Sequence, residues 1–305
     1  MPWRAFAGAE GAQTLGGQDK MSGTIAFQGE PGAYSHEACH EARPDMEALP
    51  CHTFEDVIAA VRDGKADLAM LPVENSTYGR VADIHRLLPE SGLHILDEAF
   101  LRVRISLLGL PGSRLEQIKT VRAHLVLLPQ SSRFLKLHGI TGHAAADSAG
   151  AAADLARHRT PGEGVLASTL AAEIYGLDVL ARDIEDHGHN TTRFVIMGRD
   201  LDLTRRGNDG MMTTFVFEVR NIPAALYKAM GGFATNGVNM TKLESYMIDG
   251  SFTATRFYAD IEGHPDDRPV QLALEELSYF TNNLDVLGVY PADPRRHGID
   301  NGSRP

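Results

Sequence analysis

Asn190-Thr191-Thr192-Arg193-Phe194 sets a hydroxyl beside a guanidinium, directly before the apolar run Val195-Ile196-Met197. A hydroxyl can donate a hydrogen bond or a proton to a leaving group, and an Arg can clamp a carboxylate through two parallel bonds. Taken alone, Thr192 is more simply a strand residue, since Thr is common in strands. A second stretch, Leu71 to Arg80, is dense in side-chain donors. Asn75, Ser76 and Thr77 could hold carboxylate or hydroxyl groups, with Arg80 adding charge, or could merely cap a local turn. A third, Gly29-Glu30-Pro31-Gly32-Ala33-Tyr34-Ser35, stands between a strand and a helix, where backbone N–H groups and the helix dipole favour an anion. Its glycines lack the spacing of a phosphate loop or a dinucleotide fingerprint.

Two further clusters read more simply. His36, Cys39 and His40 share one helix face, but Cys51-His52 completes no zinc spacing, so no metal is expected. Asp183, Glu185, Asp186, His187 and His189 read as a solvated turn that delivers the Thr192 segment to a cleft.

The elements that must position these residues come in two grammars. From Thr24 to Gly198, short apolar runs alternate with helical patterns: a strand at Thr24–Gln28, a helix opening near Tyr34, and a helix over Thr53–Asp63 with Thr53 and Asp56 at capping-box spacing. A short strand ends at Pro72, helices cover Ala82–Leu88, Ser113–Ile118 and Pro129–His138, and β-rich runs cover His94–Leu110 and Thr120–His124. Further helices at Ser148–His158 and Ser168–Tyr175 flank a strand at Gly164–Ala167. This alternation predicts a mostly parallel sheet, and two lobes around a cleft suit the length. After a polar linker at 199–210, strand Met212–Arg220, helix Pro223–Asn236, a hairpin about Asp249-Gly250, helix Pro269–Phe280 and strand Leu284–Tyr290 spell a β-α-β-β-α-β unit. Residues 1–22 read as a disordered extension and 291–305 as a fraying tail.

Composition bounds the rest. The chain has 305 residues and a net charge of −11, which argues against a broad nucleic-acid or anionic-membrane surface but not against an anionic substrate in a basic cleft. Two cysteines imply no disulfide framework. With no apolar run near the roughly 18 residues needed to span a bilayer, a cytoplasmic setting is expected.

Taken in order, Ala26–Ala38, Leu71–Arg80, Ala123–Leu135, Asp147–Ala152 and Val165–Gly198 resemble the prephenate dehydratase family. Pro223–Lys228 and Asn239–Ser245 resemble its ACT regulatory domain. The resemblance implies an α/β fold in which residues 23–198 form a catalytic domain of two lobes like those of periplasmic binding proteins, with 211–290 a ferredoxin-like ACT domain. It implies conversion of prephenate to phenylpyruvate in phenylalanine biosynthesis without a cofactor, with Thr192 as the essential hydroxyl. Ser35, Asn75, Ser76, Arg193 and Phe194 are the expected substrate contacts, although Arg193 could instead brace its loop. L-phenylalanine is the implied effector, at Ala224, Ala225, Leu226, Asn239, Met240, Glu244 and Ser245 of a homodimer or homotetramer. Ala224 stands where the family often has Gly, and Tyr246-Met247 where it has Arg-Pro, so a Cβ and a missing Arg change the pocket that would hold an amino acid. Arogenate dehydration and a non-catalytic amino-acid sensor are the rival readings.

Overall fold

The computed structural model describes residues 23–207, 210–220, 222–247 and 254–296. The extension at 1–22, the Asp249-Gly250 turn and the tail beyond 296 lie outside them.

The first lobe opens with β1 (Thr24–Gln28), α1 (Tyr34–Ala42), β2 (Glu47–Cys51), α2 (Phe54–Arg62), β3 (Leu68–Asn75), β4 (Gly79–Arg80), α3 (Ala82–Leu87) and β5 (His94–Arg102). The chain then crosses to a second lobe of β6 (Ser106–Gly109), β7 (Thr120–His124), α4 (Leu127–Gln130), α5 (Ser132–Leu137), β8 (Thr141–Ala145), α6 (Ser148–His158), β9 (Glu163–Ala167), α7 (Thr169–Tyr175) and β10 (Asp178–Ala181). It returns through β11 (Thr191–Gly198). The C-terminal unit is β12 (Met211–Val219), α8 (Ala225–Thr235), β13 (Met240–Met247), β14 (Ala254–Glu262), α9 (Arg268–Phe280) and β15 (Thr281–Pro291).

Local signals explain most of these elements. Thr53 accepts from the Asp56 amide while the Asp56 carboxylate accepts from that of Thr53, closing the capping box that starts α2. Asp147 caps α6 and Ser168 caps α7 through their side chains. Elsewhere the structure departs from the pattern. The strand expected to stop at Pro72 runs on to Asn75, because a register shift opposite Arg193 and Phe194 lets β3 carry a residue without an N–H. The helix expected over Ser113–Ile118 shrinks to one 3-10 turn at 115–117, and that over Pro129–His138 breaks at Ser131.

Two sheets result. One runs β13-β14-β12-β15-β5-β11-β3-β1-β2, with β4 hung on β3, and the other runs β10-β6-β9-β7-β8. Neither is mostly parallel as expected. The two crossings between lobes bring β6 and β11 in against their neighbours, so both pair antiparallel. The larger sheet is continuous from the first lobe into the C-terminal unit through β15 and β5 at Gly288 and Ile95. A Cβ on Gly288 would lie 2.2 Å from the Ile95 carbonyl oxygen, so only glycine permits that join.

One face of the first-lobe sheet packs Ala38 and Cys39 of α1 over Ile25, Phe27, Met70 and Phe194. The other packs α2 and α3 together with Met212, Val216, Tyr258 and Tyr290 of the C-terminal unit. The segment at 199–207 is also docked, with Arg199 donating to the Val61 and Ala66 carbonyls and Arg205 to that of Leu96. Residues 291–296, expected to fray, are held too: Arg296 donates to Glu98 and stacks over Phe100.

Candidate active site

Thr192 is the second residue of β11 and pairs with Asn75 at the end of β3. Asn75 Nδ2 donates to Thr192 Oγ1 (2.9 Å) and to Asn190 Oδ1 (2.7 Å), while Asn75 Oδ1 accepts from the amides of Thr77 (2.9 Å) and Tyr78 (3.0 Å). Those two backbone donors settle which end of the Asn75 amide is nitrogen. Thr192 Oγ1 is therefore an acceptor toward Asn75, and its own proton is left to point elsewhere. Asn190, almost wholly buried, passes the chain on by donating from Nδ2 to Gln130 Oε1. Gln130 belongs to α4 of the second lobe, so the relay Thr192–Asn75–Asn190–Gln130 spans the meeting of the lobes and ends on the Gln130 amino group.

The surrounding loops are fastened across the same boundary. Ser76 Oγ donates to the His189 carbonyl (2.8 Å) and accepts from the Thr191 amide (2.9 Å), so it acts as a backbone clamp. Tyr78 OH donates to the Val126 carbonyl (2.9 Å) of the second lobe. On the other side, Ser168 Oγ donates to the Gly32 carbonyl and Tyr175 OH to that of Pro31, pinning the loop after β1 to α7. Ser35 stands half-buried in the first turn of α1, and among the described residues no hydrogen bond joins it to Thr192. The turn expected to be solvated is anchored. Glu185 accepts from the Ile105 amide (3.0 Å), and Asp186 accepts from the Arg133 amide and the Ser132 hydroxyl, because each carboxylate finds unpaired donors where the chain crosses.

The structure does not bring Arg193, expected beside the substrate, to the Thr192 side. Successive side chains of a strand point to opposite faces, so Arg193 leaves the Thr192 side and enters the packed face against the C-terminal unit. It is 2% exposed and donates from Nε to Glu98 (2.9 Å), from Nη1 to Glu74 (2.9 Å) and Asp260, and from Nη2 to Tyr290 OH (2.9 Å). Burial opposes its charge, but Asp260 foremost keeps it protonated well above the ordinary Arg range. Burial likewise opposes the charge of Glu74, yet Arg193 and Lys242 hold its carboxyl down at about 2. Phe194 is likewise placed in the core. It returns to the Thr192 face, but one layer deeper, and is buried among Ile25, Phe27, Cys39 and Met70.

In the C-terminal unit, Ala225 at the start of α8 belongs to the buried core, Leu226 and Met240 pack partly buried against that core, and Asn239 lies exposed at the head of β13. Ala224 precedes α8 in the left-handed region (φ 60°), a conformation that glycine adopts without strain. Glu244 does not join this group: it faces the first lobe and pairs with Arg80 (3.3 Å) and Lys242 (3.7 Å). Ser245 is exposed, and its carbonyl accepts from Arg80.

Residues 25–202 match the family model described as prephenate dehydratase. The chain belongs to the prephenate dehydratase family. Members of that family are lyases. The chain is 52% identical over 272 residues, 89% of its length and 97% of the relative's, to a protein of Komagataeibacter europaeus named bifunctional N-acyl-homoserine lactone acylase/prephenate dehydratase. It is 38% identical, over 88% of its length and 72% of the relative's, to an Arabidopsis thaliana protein named arogenate dehydratase/prephenate dehydratase 1, chloroplastic. A prephenate dehydratase of Arthrobacter aurescens solved in complex with L-Phe superposes with a TM-score of 0.80 at 29% identity, covering 88% of this chain and 90% of that one.

Sequence reasoning missed Gln130, Tyr78 and the part played by Asn190. Asn190 sat inside the pentapeptide, but nothing local marks an amide that must bridge to another lobe. Gln130 lay in a stretch read as plain helix. A hollow of about 650 Å³ lined by Ser113, Arg114, Asp178 and Arg182 shares no residue with the Thr192 relay. No helix among the described residues is long and apolar enough to cross a membrane.

Proposed function

We propose that this chain is a prephenate dehydratase, and the observation that carries the reading is the Thr192 hydroxyl oriented by Asn75 at the junction of two lobes. In the reaction the bond from the ring to its carboxylate breaks, releasing CO₂, and that electron pair enters the ring. The C–O bond at the opposite carbon breaks, and hydroxide departs taking up a proton as the ring becomes aromatic. Thr192 aims its free O–H at the departing oxygen. A threonine hydroxyl is a very poor acid, so its part is hydrogen-bond stabilisation of developing charge rather than full proton transfer. With Arg193 committed elsewhere, Gln130 Nε2 becomes the new candidate donor to the substrate beside Asn75, Ser76 and Ser35. The lobes would close on substrate in the manner of periplasmic binding proteins.

The C-terminal β-α-β-β-α-β unit is read as an ACT domain with L-phenylalanine as effector, supported by the Arthrobacter relative solved with that ligand. Edge strand β13 and the exposed Ile222, Tyr227 and Leu243 of the same unit support a homodimer or homotetramer. Two free cysteines suit the cytoplasm.

Phenylpyruvate absorbance with prephenate tests the reading. Thr192→Ala should lose at least about 100-fold in kcat with the fold intact, and near-normal turnover by that variant would exclude the assignment. Running arogenate beside prephenate separates the two substrates. The Komagataeibacter relative's name favours a second reading, N-acyl-homoserine lactone acylase activity in addition, which the same preparations can be assayed for.

A further inference from the structure

Strand β13 turns three successive same-face side chains onto the first lobe. Lys242 Nζ meets Glu74 (2.7 Å), Glu244 meets Arg80 (3.3 Å), and Tyr246 OH lies 3.5 Å from His85 Nδ1. His85, in turn, is buried against β3 with Nε2 at 3.1 Å from the Val73 carbonyl. Glu74 and Arg80 are cross-strand partners, and the next rung of the same two-rung hairpin is Asn75 opposite Gly79. Asn75 is the residue that orients Thr192. The rung gripped by the C-terminal unit is therefore adjacent to the rung that sets the proposed catalytic hydroxyl. The alternate residues of β13, Thr241, Leu243 and Ser245, are exposed, and β13 is the end strand of its sheet, so one side of the strand is open while the other holds Glu74 and Arg80.

We propose that the row of ion pairs Glu74–Lys242–Glu244–Arg80 is the element that transmits the position of β13 to Thr192, with Glu244 and Arg80 as positioning residues. This rests on reading Thr192 as the catalytic hydroxyl. It assigns Glu244 a part inside one chain rather than contact with an effector. Three ion pairs join the four groups in a row, Glu74–Lys242–Glu244–Arg80, and strand pairing sets its two ends opposite each other, so losing Arg80 or Glu244 frees the β4 side of the hairpin from β13. The β3 side of the hairpin is also held by β11, through strand pairing at Asn75 and the Arg193–Glu74 pair, and its turn by the Ser76 clamp and the Tyr78 hydroxyl, whereas the Arg80 side chain is held by β13.

The test uses the full chain, with Arg80→Met, Arg80→Lys, Glu244→Gln and the double variant Arg80→Met/Glu244→Gln. Two readouts are taken: kcat and KM on prephenate, and amide hydrogen exchange across 75–81. Each charge-removing single variant should lower kcat about fivefold with KM changed less than about twofold, and should speed exchange at 75–79 about fivefold. The double variant should be no worse than the worse single one, since both break the same link, and Arg80→Lys should recover much of the loss. Unchanged exchange at 75–79, or losses that multiply in the double variant, would overturn the proposal. So would abolition of L-phenylalanine binding by Glu244→Gln in calorimetry, where the unsubstituted chain binds it, because Glu244 would then be a ligand contact. If the unsubstituted chain does not turn over prephenate, the reading of the site fails by itself, and the exchange result alone decides whether β13 controls the hairpin.

Discussion

Arg193 offers the sharpest discrimination between a ligand and a structural role, because both predict damage but in different observables. In the structure its guanidinium pairs with Glu98, Glu74 and Asp260, of which Glu98 and Asp260 have fully buried carboxylates. Arg193→Met removes the cation and leaves those groups unequal. Glu98 keeps Arg296 and the Asp293 amide, and Glu74 keeps Lys242. Asp260 keeps only the Thr214 hydroxyl among these contacts. An uncompensated buried carboxylate of this kind costs about 3–5 kcal/mol. Against a typical stability of about 5–15 kcal/mol the protein should still fold, with a melting temperature lower by on the order of 10 °C. Arg193→Lys keeps the charge but loses the planar fork, and should lose roughly half as much. Adding Asp260→Asn to Arg193→Met removes the orphaned charge and should restore about 1–2 kcal/mol. Urea unfolding followed by far-UV circular dichroism measures all four proteins, and prephenate kinetics run beside it. If instead Arg193→Lys left the unfolding midpoint unchanged while raising KM severalfold, the guanidinium would be binding substrate, and the network described here would be wrong.

Two other predictions follow from packing and titration. Gly32 (φ +90°) lies against α7 so closely that an added Cβ would sit 2.7 Å from the Ala171 Cα. Gly32→Ala should therefore cost about 1–3 kcal/mol and lower kcat/KM by pushing the loop after β1 away from the second lobe; a variant with unaltered melting and kinetics would refute that close approach. Glu37 on α1 is pushed by burial, then by Glu41 and Glu173 against the opposing Arg104, from 4.5 to about 7. Its folded-state value is raised, so the folded chain holds a proton that the unfolded chain has lost between those values. The stability it contributes is complete below about 4.5 and disappears as pH rises through about 7. Relative to Glu37→Gln, the unsubstituted chain should lose melting temperature between about pH 5 and pH 8, and parallel curves would contradict the assignment.

How much was legible follows from the range of each interaction. The capping box at Thr53 and Asp56, the helix ending at Tyr175 and the β-α-β-β-α-β order of the C-terminal unit rest on signals from neighbours a few residues apart, and the structure bears them out. Strands β2, β8 and β10 escaped notice. β2 holds a proline and partly exposed positions, β8 is short and mostly exposed, and β10 has only four residues, so none shows a clear period. The run of β3 through Pro72 escaped too, since a proline stops a regular strand but not a bulged one.

By itself the sequence determined which chemistry is available: a hydroxyl next to a strand, amide and hydroxyl donors on a second loop, and an order of elements able to bring them together. Only the tertiary structure decided which of those groups meet. Thr192 and Arg193 are adjacent along the chain, yet the pleat sends one toward Asn75 and the other into carboxylates from three separate elements. Which face of β11 is covered by the C-terminal unit depends on a sheet that joins residues nearly two hundred positions apart at Gly288 and Ile95. Local periodicity carries no record of such a pairing, and so the role of Arg193 could not be read before the fold was in hand.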